Sequence, residues 1–206
     1  IIEDAAQSLG SFYPDGRHIG LAGDVGSFSF SAPKIISTGQ GGALITNNDD
    51  VAMKLRKLKD FGRTGGGNDI HDVIGYNFKF TELQACIGIE QMKKLPSRLL
   101  RKKEIFKRYQ TNLSNSKNIS LFDHNLECTA PWFIDSICKN RDKIQNSLME
   151  NNIGSRPMYP PINKQQAYNL GFETPVSDNI GKNGLWLPSA IDLTNEEIDR
   201  ICDVIQ

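Results

Sequence analysis

An alternating segment, Val25-Gly26-Ser27-Phe28-Ser29-Phe30, constrains the fold of this chain more than any other feature. Small residues alternate with aromatic ones, and a period of two predicts a β-strand. Lys34 follows closely, and then comes the small, flexible run Thr38-Gly39-Gln40-Gly41-Gly42. A second strand is predicted over residues 42–46, so the pattern places a single lysine between two strands.

A carboxylate at the end of a short apolar strand is the second signal. The segment Ile1-Ile2-Glu3-Asp4-Ala5-Ala6-Gln7 delivers Asp4 and then the amide of Gln7. A lysine that reacts as a neutral amine needs surroundings that lower its pKa. A protonated pyridine nitrogen needs a carboxylate partner. Together the two segments predict a pyridoxal phosphate site, with Lys34 as the Schiff-base residue and Asp4 under the ring nitrogen.

At these positions the chain resembles the sugar-modifying branch of the fold-type I pyridoxal phosphate aminotransferases, the DegT/DnrJ/EryC1/StrS family. The matching segments run in family order over essentially all 206 residues: Glu3–Gly10, Gly23–Phe30, Lys34, Thr38–Gly42, Gly75–Ala85, Asn152–Pro157, Tyr159–Pro161 and Leu185–Pro188. The resemblance implies an α/β fold of the aspartate aminotransferase type. We expect a partial large cofactor-binding domain at residues 1–96 and a small α+β C-terminal domain at residues 97–206.

The resemblance also implies that the sequence is truncated at its N-terminus. Full family members have a long section before the strand that carries Asp4, whereas this chain opens at that strand without an initiator methionine. We therefore expect the chain to be incomplete and inactive alone. A non-catalytic fragment or pseudo-enzyme is the alternative outside the enzyme class.

Charge and composition argue against several other classes of function. Lys plus Arg and Asp plus Glu both number 24, which gives no electrostatic reason to expect nucleic acid or a membrane surface as partner. No segment reaches the roughly 18 apolar residues of a membrane span, and the first residues do not have the pattern of a signal peptide. The four cysteines and three histidines are scattered, so no metal site is expected, and the location is predicted to be cytoplasmic.

Local signals predict most of the helices. Asp49-Asp50 begin one helix, Thr81 and Gln84 form a capping box for a helix to about Lys94, and Thr194 and Glu197 form another. Pro96 is expected to break the second helix before a third, from about Ser97 to Leu113. A strand at 128–138 and a helix at 141–151 follow, while 62–75 and most of 156–189 are expected to be irregular.

A basic cluster within the third predicted helix has the spacing of a solvated helix face. Its members are Arg98, Arg101, Lys102, Lys103, Lys107 and Arg108.

Further roles come from the resemblance alone. Gln7 is expected at the 3-oxygen side of the cofactor ring and Ser29 at the phosphate. Asn77 is expected to reach the phosphate in a neighbouring subunit, which implies a homodimer with shared active sites. Each residue also has an ordinary alternative, because Gln7 and Asn77 suit turns and a strand serine can face solvent.

Arg156 and Tyr159 are the candidate substrate-binding residues. A guanidinium suits a carboxylate such as that of glutamate, the expected amino donor, although an arginine before a proline can also be an ordinary surface residue. Two positions depart from the family pattern: many relatives carry histidine where this chain has Ser31 and Asn163.

Segments Phe61–Asp69 and Arg156–Pro161 are most similar to the perosamine synthase group. The resemblance implies amination of a nucleotide-linked 4-keto-6-deoxyhexose to a 4-amino sugar, with glutamate as donor, in O-antigen or other polysaccharide biosynthesis. A 3-keto-sugar aminotransferase of the same family is the nearest alternative. A related sugar dehydratase is disfavoured, because those enzymes replace the lysine with histidine.

Overall fold

The chain divides into two units in a computed structural model, which describes residues 1–65, 68–168 and 171–206. Unit 1 comprises Ile1–Leu99 with Glu127–Ala130, and unit 2 comprises Leu100–Leu126 with Pro131–Gln206. Packed units are not by themselves evidence of independently folding domains. The predicted domains at 1–96 and 97–206 therefore stay a prediction.

A three-stranded sheet forms the centre of unit 1. Its strands are β1 (Ile2–Asp4), β2 (Val25–Ser29) and β3 (Gly42–Ile45), with β2 in the middle. β2 runs parallel to β1 and antiparallel to β3. Phe28 is buried while Ser27 and Ser29 are half-buried, as the alternating sequence predicts. Both strands predicted around Lys34 are confirmed.

Three helices begin in unit 1 at capping signals or at a proline. α1 (Asp49–Lys59) is capped by the Asn48 side chain, and α2 (Glu82–Lys93) has the predicted capping box. α3 (Leu95–Leu113) carries Pro96 in its first turn, which confirms the predicted break. The described part of the loop predicted at 62–75 contains no helix and no strand of a sheet. Gly66 and Gly67 lie outside the described residues.

Unit 2 contains an antiparallel sheet with helices. Its strands are β4 (Ile119–Leu121), β5 (Ile134–Cys138), β6 (Arg156–Pro157) and β7 (Gly184–Leu187), in the order β4-β5-β7-β6. The helices are α4 (Arg141–Glu150), α5 (Pro175–Asn183) and α6 (Asn195–Ile205), with one 3₁₀ turn at Ile162–Lys164. Two expectations need correction here. The strand predicted from residue 128 begins at Ile134, and the region 156–189 contains β6, α5 and β7.

The main hydrophobic core lies entirely in unit 2. One face of β5 and β7 packs against the apolar faces of α3, α4 and α6. The members of this core are Ile105, Phe106, Tyr109, Leu113, Ile119, Ile134, Cys138, Ile144, Leu148, Ile153, Leu185, Leu187, Ile198, Ile201, Cys202 and Ile205.

The basic cluster of α3 departs at Lys102 from the solvated face that its spacing predicts. Lys102 is only 6% exposed, and its Nζ donates to the carbonyl oxygens of Trp132 (2.8 Å) and Ser189 and to the Ser189 hydroxyl. Burial lowers the pKa of Lys102 to about 8. The prediction was wrong at this position because a lysine side chain can reach carbonyl oxygens inside the fold.

The described ranges contain neither a candidate membrane span nor a candidate metal cluster. No helix there is long and apolar enough to cross a membrane. Within the same ranges, no group of three or more His, Cys, Asp or Glu side chains is arranged to hold a metal ion.

Candidate active site

Two predicted site residues lie at the carboxyl edge of the unit 1 sheet. Asp4 is the last residue of β1 and Ser29 is the last residue of β2. The strands are parallel and Asp4 is registered with Ser27, so both strands end at the same edge. In α/β sheets this edge is where ligands bind.

Asp4 presents a carboxylate at the sheet edge. Its Oδ1 accepts a hydrogen bond from the Ala6 N–H at 3.1 Å, and the residue is exposed. The neighbouring Ala5 is fully buried, and its N–H donates to the Ser27 carbonyl oxygen at 2.9 Å. Among the described residues, the Ala6 N–H is the only hydrogen-bond donor to this carboxylate. Its remaining lone pairs are thus available to a ligand.

Glu3 holds the chain that leads into Asp4, a role that the sequence analysis missed. Its carboxylate accepts from the Tyr13 hydroxyl at 2.5 Å and from the N–H groups of Gly20 (2.6 Å), Ala22 (2.8 Å) and Gly23 (3.1 Å). These hydrogen bonds, the Tyr13 bond foremost, lower the pKa of Glu3 to about 2. Glu3 and Asp4 are neighbours in the sequence, and their carboxylates have different roles. Glu3 stabilises the fold, whereas Asp4 lies at the sheet edge.

Lys34 lies in the connection from β2 to β3. Its backbone N–H donates to the Ser31 carbonyl oxygen at 3.0 Å, which closes a turn, and the residue is half-buried. Burial lowers the pKa of the Lys34 amine, and the negative charge of Asp4 partly opposes that effect. Asp4 is therefore close enough to influence Lys34 electrostatically. The structure brings together the two residues on which the sequence prediction depends.

Residues of α2 and α3 fix the Lys34 connection from outside. Gln84 Nε2 donates to the Gln40 carbonyl oxygen at 2.8 Å. Arg98 donates to the Ile35 carbonyl oxygen at 2.9 Å and to Gln91 Oε1 at 2.5 Å. The sequence analysis did not identify Gln91 or Arg98 as partners of this connection. The only sequence signal was the position of Gln84 and Gln91 seven residues apart, which places them on one helix face.

The hydroxyl of Ser29 lies in a small polar group beside Lys34. Ser29 Oγ donates to Ser31 Oγ at 3.2 Å and accepts from the Ser31 N–H at 3.3 Å. Ser31 stands where many relatives are expected to have histidine. In this chain it joins Ser29 by a hydrogen bond, so that the pair has one hydroxyl proton left to donate to an anionic ligand.

The remaining cofactor candidates lie elsewhere in unit 1. Gln7 is exposed in the turn that follows β1. Asn77 is exposed and forms a bridge with Asp60 just after the end of α1. No described hydrogen bond joins Gln7 or Asn77 to Lys34, so their roles stay predictions.

The two substrate-binding candidates lie together in unit 2. Arg156 begins β6, and its guanidinium lies over the ring of Tyr159, 5.1 Å from the ring centroid. Asn163, the other departure from the family pattern, is buried; its Nδ2 donates to the Phe172 carbonyl oxygen at 2.7 Å and its Oδ1 accepts from Thr174 at 3.0 Å. Asn163 therefore serves as a structural link.

The unit 1 residues fit pyridoxal phosphate. Lys34 provides an amine whose pKa is lowered, Asp4 provides a carboxylate with free lone pairs, and Ser29 and Ser31 provide hydroxyls at the same sheet edge. These are the groups that the aldehyde, the pyridine nitrogen and the phosphate of that cofactor require.

Comparison with known proteins identifies the family of the chain. The sequence model of the DegT/DnrJ/EryC1/StrS aminotransferase family matches residues 1–206. The chain is 31% identical over 209 residues to the GDP-perosamine synthase of Escherichia coli O157:H7, covering 100% of this chain and 57% of that protein.

Solved structures support the fold. A DegT DnrJ EryC1 StrS aminotransferase from Brucella abortus superposes with a TM-score of 0.91 at 29% identity, covering 100% of this chain and 56% of that one. Spr1654 from Streptococcus pneumoniae, solved in PLP and PMP forms, also gives a TM-score of 0.91, at 28% and 27% identity; this chain is covered completely and Spr1654 to 56%. The predicted fold class is confirmed, and the chain spans little more than half the length of the relatives it matches.

Proposed function

Because this chain belongs to the DegT/DnrJ/EryC1/StrS aminotransferase family, we propose that the protein containing it is a pyridoxal phosphate-dependent sugar aminotransferase. Pyridoxal phosphate is the cofactor of this family and of its solved relatives. The observation that carries the proposal is that Asp4, at the carboxyl edge of two parallel strands, lies within electrostatic range of the Lys34 amine. There the pKa of the lysine is lowered by burial and influenced by the carboxylate.

The side chains have separate tasks in this proposal. Bound pyridoxal phosphate supplies an electron-withdrawing ring on which an amino group can be carried. The Asp4 carboxylate holds a proton on the ring nitrogen, and the Ser29 hydroxyl donates to the phosphate. We propose that Gln7 contacts the 3-oxygen side of the ring.

Lys34 has two tasks. Its amine attaches the cofactor to the protein. When released, the amine can accept a proton from the carbon that bears the donor amino group and later return one. The lowered pKa favours both tasks, because only the neutral amine has the lone pair they need.

For the substrate we propose a nucleotide-linked 4-keto-6-deoxyhexose, aminated at C4 with glutamate as donor. Support comes from the similarity to GDP-perosamine synthases of Escherichia coli O157:H7 and other bacteria. Arg156 and Tyr159 are proposed to bind an anionic group of a substrate, since a planar guanidinium pairs well with carboxylates and phosphates. A 3-keto-sugar aminotransferase is the alternative within the same family.

Asn77 is the basis for the proposed assembly. The resemblance implies that Asn77 contacts the phosphate of the neighbouring subunit, so we propose a homodimer with shared sites. A role in polysaccharide biosynthesis and a cytoplasmic location stay predictions.

A coupled assay of the full-length protein tests the function. Purified protein is incubated with glutamate and each of a panel of nucleotide-linked 4-keto and 3-keto sugars, and 2-oxoglutarate is measured. We expect turnover with a 4-keto sugar and its loss in Lys34→Ala. Lys54→Ala is the matched control, because Lys54 is an exposed lysine of α1. Equal activity in wild-type and Lys34→Ala protein, or no activity with any sugar, would contradict the proposal.

A further inference from the structure

Three residues form a row across the unit 2 sheet. In the registers of β5, β7 and β6, Asp135 lies opposite Trp186 and Trp186 lies opposite Arg156. Directly opposite residues share a face of the sheet. The neighbouring residues Ile134 and Leu185 are buried in the core, so this row lies on the outer face. We call Asp135, Trp186 and Arg156 the Arg156 row.

Two aromatic rings surround the guanidinium at one end of the row. Arg156 Cζ lies 5.6 Å from the Trp186 ring centroid and 5.1 Å from that of Tyr159. The two rings meet edge to face, with centroids 4.8 Å apart. Such cation–π contacts orient a guanidinium and leave its N–H donors unused. Arg156 is exposed and has no carboxylate partner among the described residues.

At the other end, Asp135 fixes the indole of Trp186. Asp135 Oδ1 accepts from Trp186 Nε1 at 2.6 Å, and Oδ2 lies 3.7 Å from His124 Nε2. The Phe133 ring packs against the indole at a centroid distance of 4.7 Å. The carboxylate of the row is thus bound to the indole rather than to the guanidinium, and the positive charge of Arg156 remains available.

We propose that Asp135 and Trp186 are positioning residues that hold Arg156 ready to bind an oxyanion of a substrate. This inference rests on the proposed function, in which Arg156 contacts a substrate. A free arginine side chain loses rotamer freedom when it binds, and a side chain already held against two rings loses less. The oxyanion is a carboxylate or a phosphate, because both match the planar fork of a guanidinium.

The test measures binding of two probes to the full-length protein by isothermal titration calorimetry. Glutarate represents the carboxylate of an amino donor, and inorganic pyrophosphate represents the phosphates of a nucleotide sugar. We expect Arg156→Ala and Trp186→Leu each to weaken binding of at least one probe about fivefold or more. Trp186→Phe, which keeps an aromatic face, should stay within about twofold of wild type.

Arg200→Ala is the control for charge. Arg200 is an exposed arginine of unit 2 that donates to the Asn151 carbonyl oxygen, outside the row. The Arg200→Ala variant should bind both probes with the affinity of the wild-type protein. If Arg156→Ala and Trp186→Leu lose affinity for glutarate alone, the ligand is a carboxylate. If they lose affinity for pyrophosphate alone, it is a phosphate. Either result supports the proposal.

The outcomes separate the inference from the proposed function. If Arg156→Ala weakens binding and Trp186→Leu does not, the positioning role is overturned while substrate binding by Arg156 stands. If Arg156→Ala binds both probes normally, substrate binding by Arg156 is itself overturned. If Arg200→Ala loses as much probe affinity as Trp186→Leu, the loss of affinity is not specific to the row and the positioning role is overturned. If Trp186→Leu fails to fold, Asp135→Leu decides by the same criterion, because it removes the indole's partner and keeps the ring.

Tryptophan fluorescence provides a readout that a purely structural role would leave unchanged. Probe binding should alter the emission of wild-type protein and of Trp132→Phe, because both retain Trp186 beside Arg156. The same alteration should disappear in Trp186→Phe, which still binds. An alteration that persists in Trp186→Phe would contradict contact between the bound anion and the row.

Discussion

At the scale of single residues, two lysines show why a lowered pKa does not by itself identify a reactive amine. Burial lowers the pKa of both Lys34 and Lys102. Lys102 is buried among carbonyl oxygens of unit 2, whereas Lys34 is half-buried at a sheet edge near Asp4. The position beside a ligand-binding edge and a carboxylate, more than the pKa shift, supports the assignment of Lys34.

Asp4→Asn should retain cofactor but lose most activity in the full-length protein. An amide cannot hold the ring nitrogen protonated, so the electron-withdrawing capacity of the ring falls. We expect kcat to drop on the order of 100-fold, as when a preorganised electrostatic group is removed. Steady-state kinetics with cofactor content measured by absorbance checks this. Near-normal turnover would show that Asp4 is structural.

Because of Lys102, the free energy of unfolding should increase as the pH rises into the alkaline range. Its folded pKa of about 8 lies below the ordinary lysine value of 10.5, so between these values the unfolded chain binds more protons than the folded one. Stability should therefore rise with pH through this window, by up to about 3 kcal/mol. Urea unfolding of wild type and of Lys102→Met, which cannot titrate there, measures the difference. A difference that is constant from pH 8 to 10.5 would contradict the assignment.

At the scale of secondary structure, the sequence predicted the elements that depend on residues close to one another in the chain. The capping boxes at Thr81 and Thr194 and the alternation of β2 depend on residues close in sequence, and all three are confirmed. β6 and β7 were missed because two- and four-residue strands are defined by pairing with distant residues. α5 was missed because Thr174 forms no side-chain cap bond, which leaves only a weak start signal at Pro175.

The same distinction applies to the candidate site. Lys34 and Asp4 could be predicted because residue type and strand ends identify them. The hydrogen bonds of Glu3 to Tyr13, of the Ser37 N–H to Gln91 Oε1 and of Arg98 to the Ile35 carbonyl oxygen could not be predicted. They join residues 10 to 63 positions apart in the sequence. The Arg156 row needs the register of three strands, which the sequence pattern does not specify.

The two capping boxes offer a matched pair of substitutions. Thr81→Ala and Thr194→Ala should each destabilise the protein by about 1 kcal/mol, because each removes the side-chain acceptor of a helix N-cap. Only Thr81→Ala should also weaken retention of the cofactor, since α2 holds the Lys34 connection through Gln84. Thermal unfolding and the dissociation rate of pyridoxal phosphate are the measurements. Equal dissociation rates in the two variants would show that α2 does not support the site.

At the scale of the whole molecule, apolar burial is uneven. The main core lies in unit 2, whereas α2 of unit 1 has no buried residue and Leu83 is 80% exposed. The chain also spans 57% of the Escherichia coli relative. Activity, cofactor retention and subunit assembly are therefore properties to be measured on the full-length protein.

A shared active site predicts complementation between two inactive variants. If Asn77 serves the partner's phosphate site, Lys34→Ala and Asn77→Ala place their lesions in the same site of a mixed dimer. The second site is then intact. After subunit exchange at equal concentrations, activity should recover to about a quarter of wild type, because half of the dimers are mixed. No recovery, with exchange confirmed by differently tagged subunits, would contradict sharing through Asn77.

The most direct test of the central claim is chemical identification of the lysine that holds the cofactor. The full-length protein is reconstituted with pyridoxal phosphate, reduced with borohydride, digested and mapped by mass spectrometry. The account predicts a pyridoxyl group on Lys34, because Lys34 lies near Asp4 with a lowered pKa at the carboxyl edge of the sheet. A pyridoxyl group on a different lysine, or no labelled peptide from a protein that retains cofactor, would contradict it.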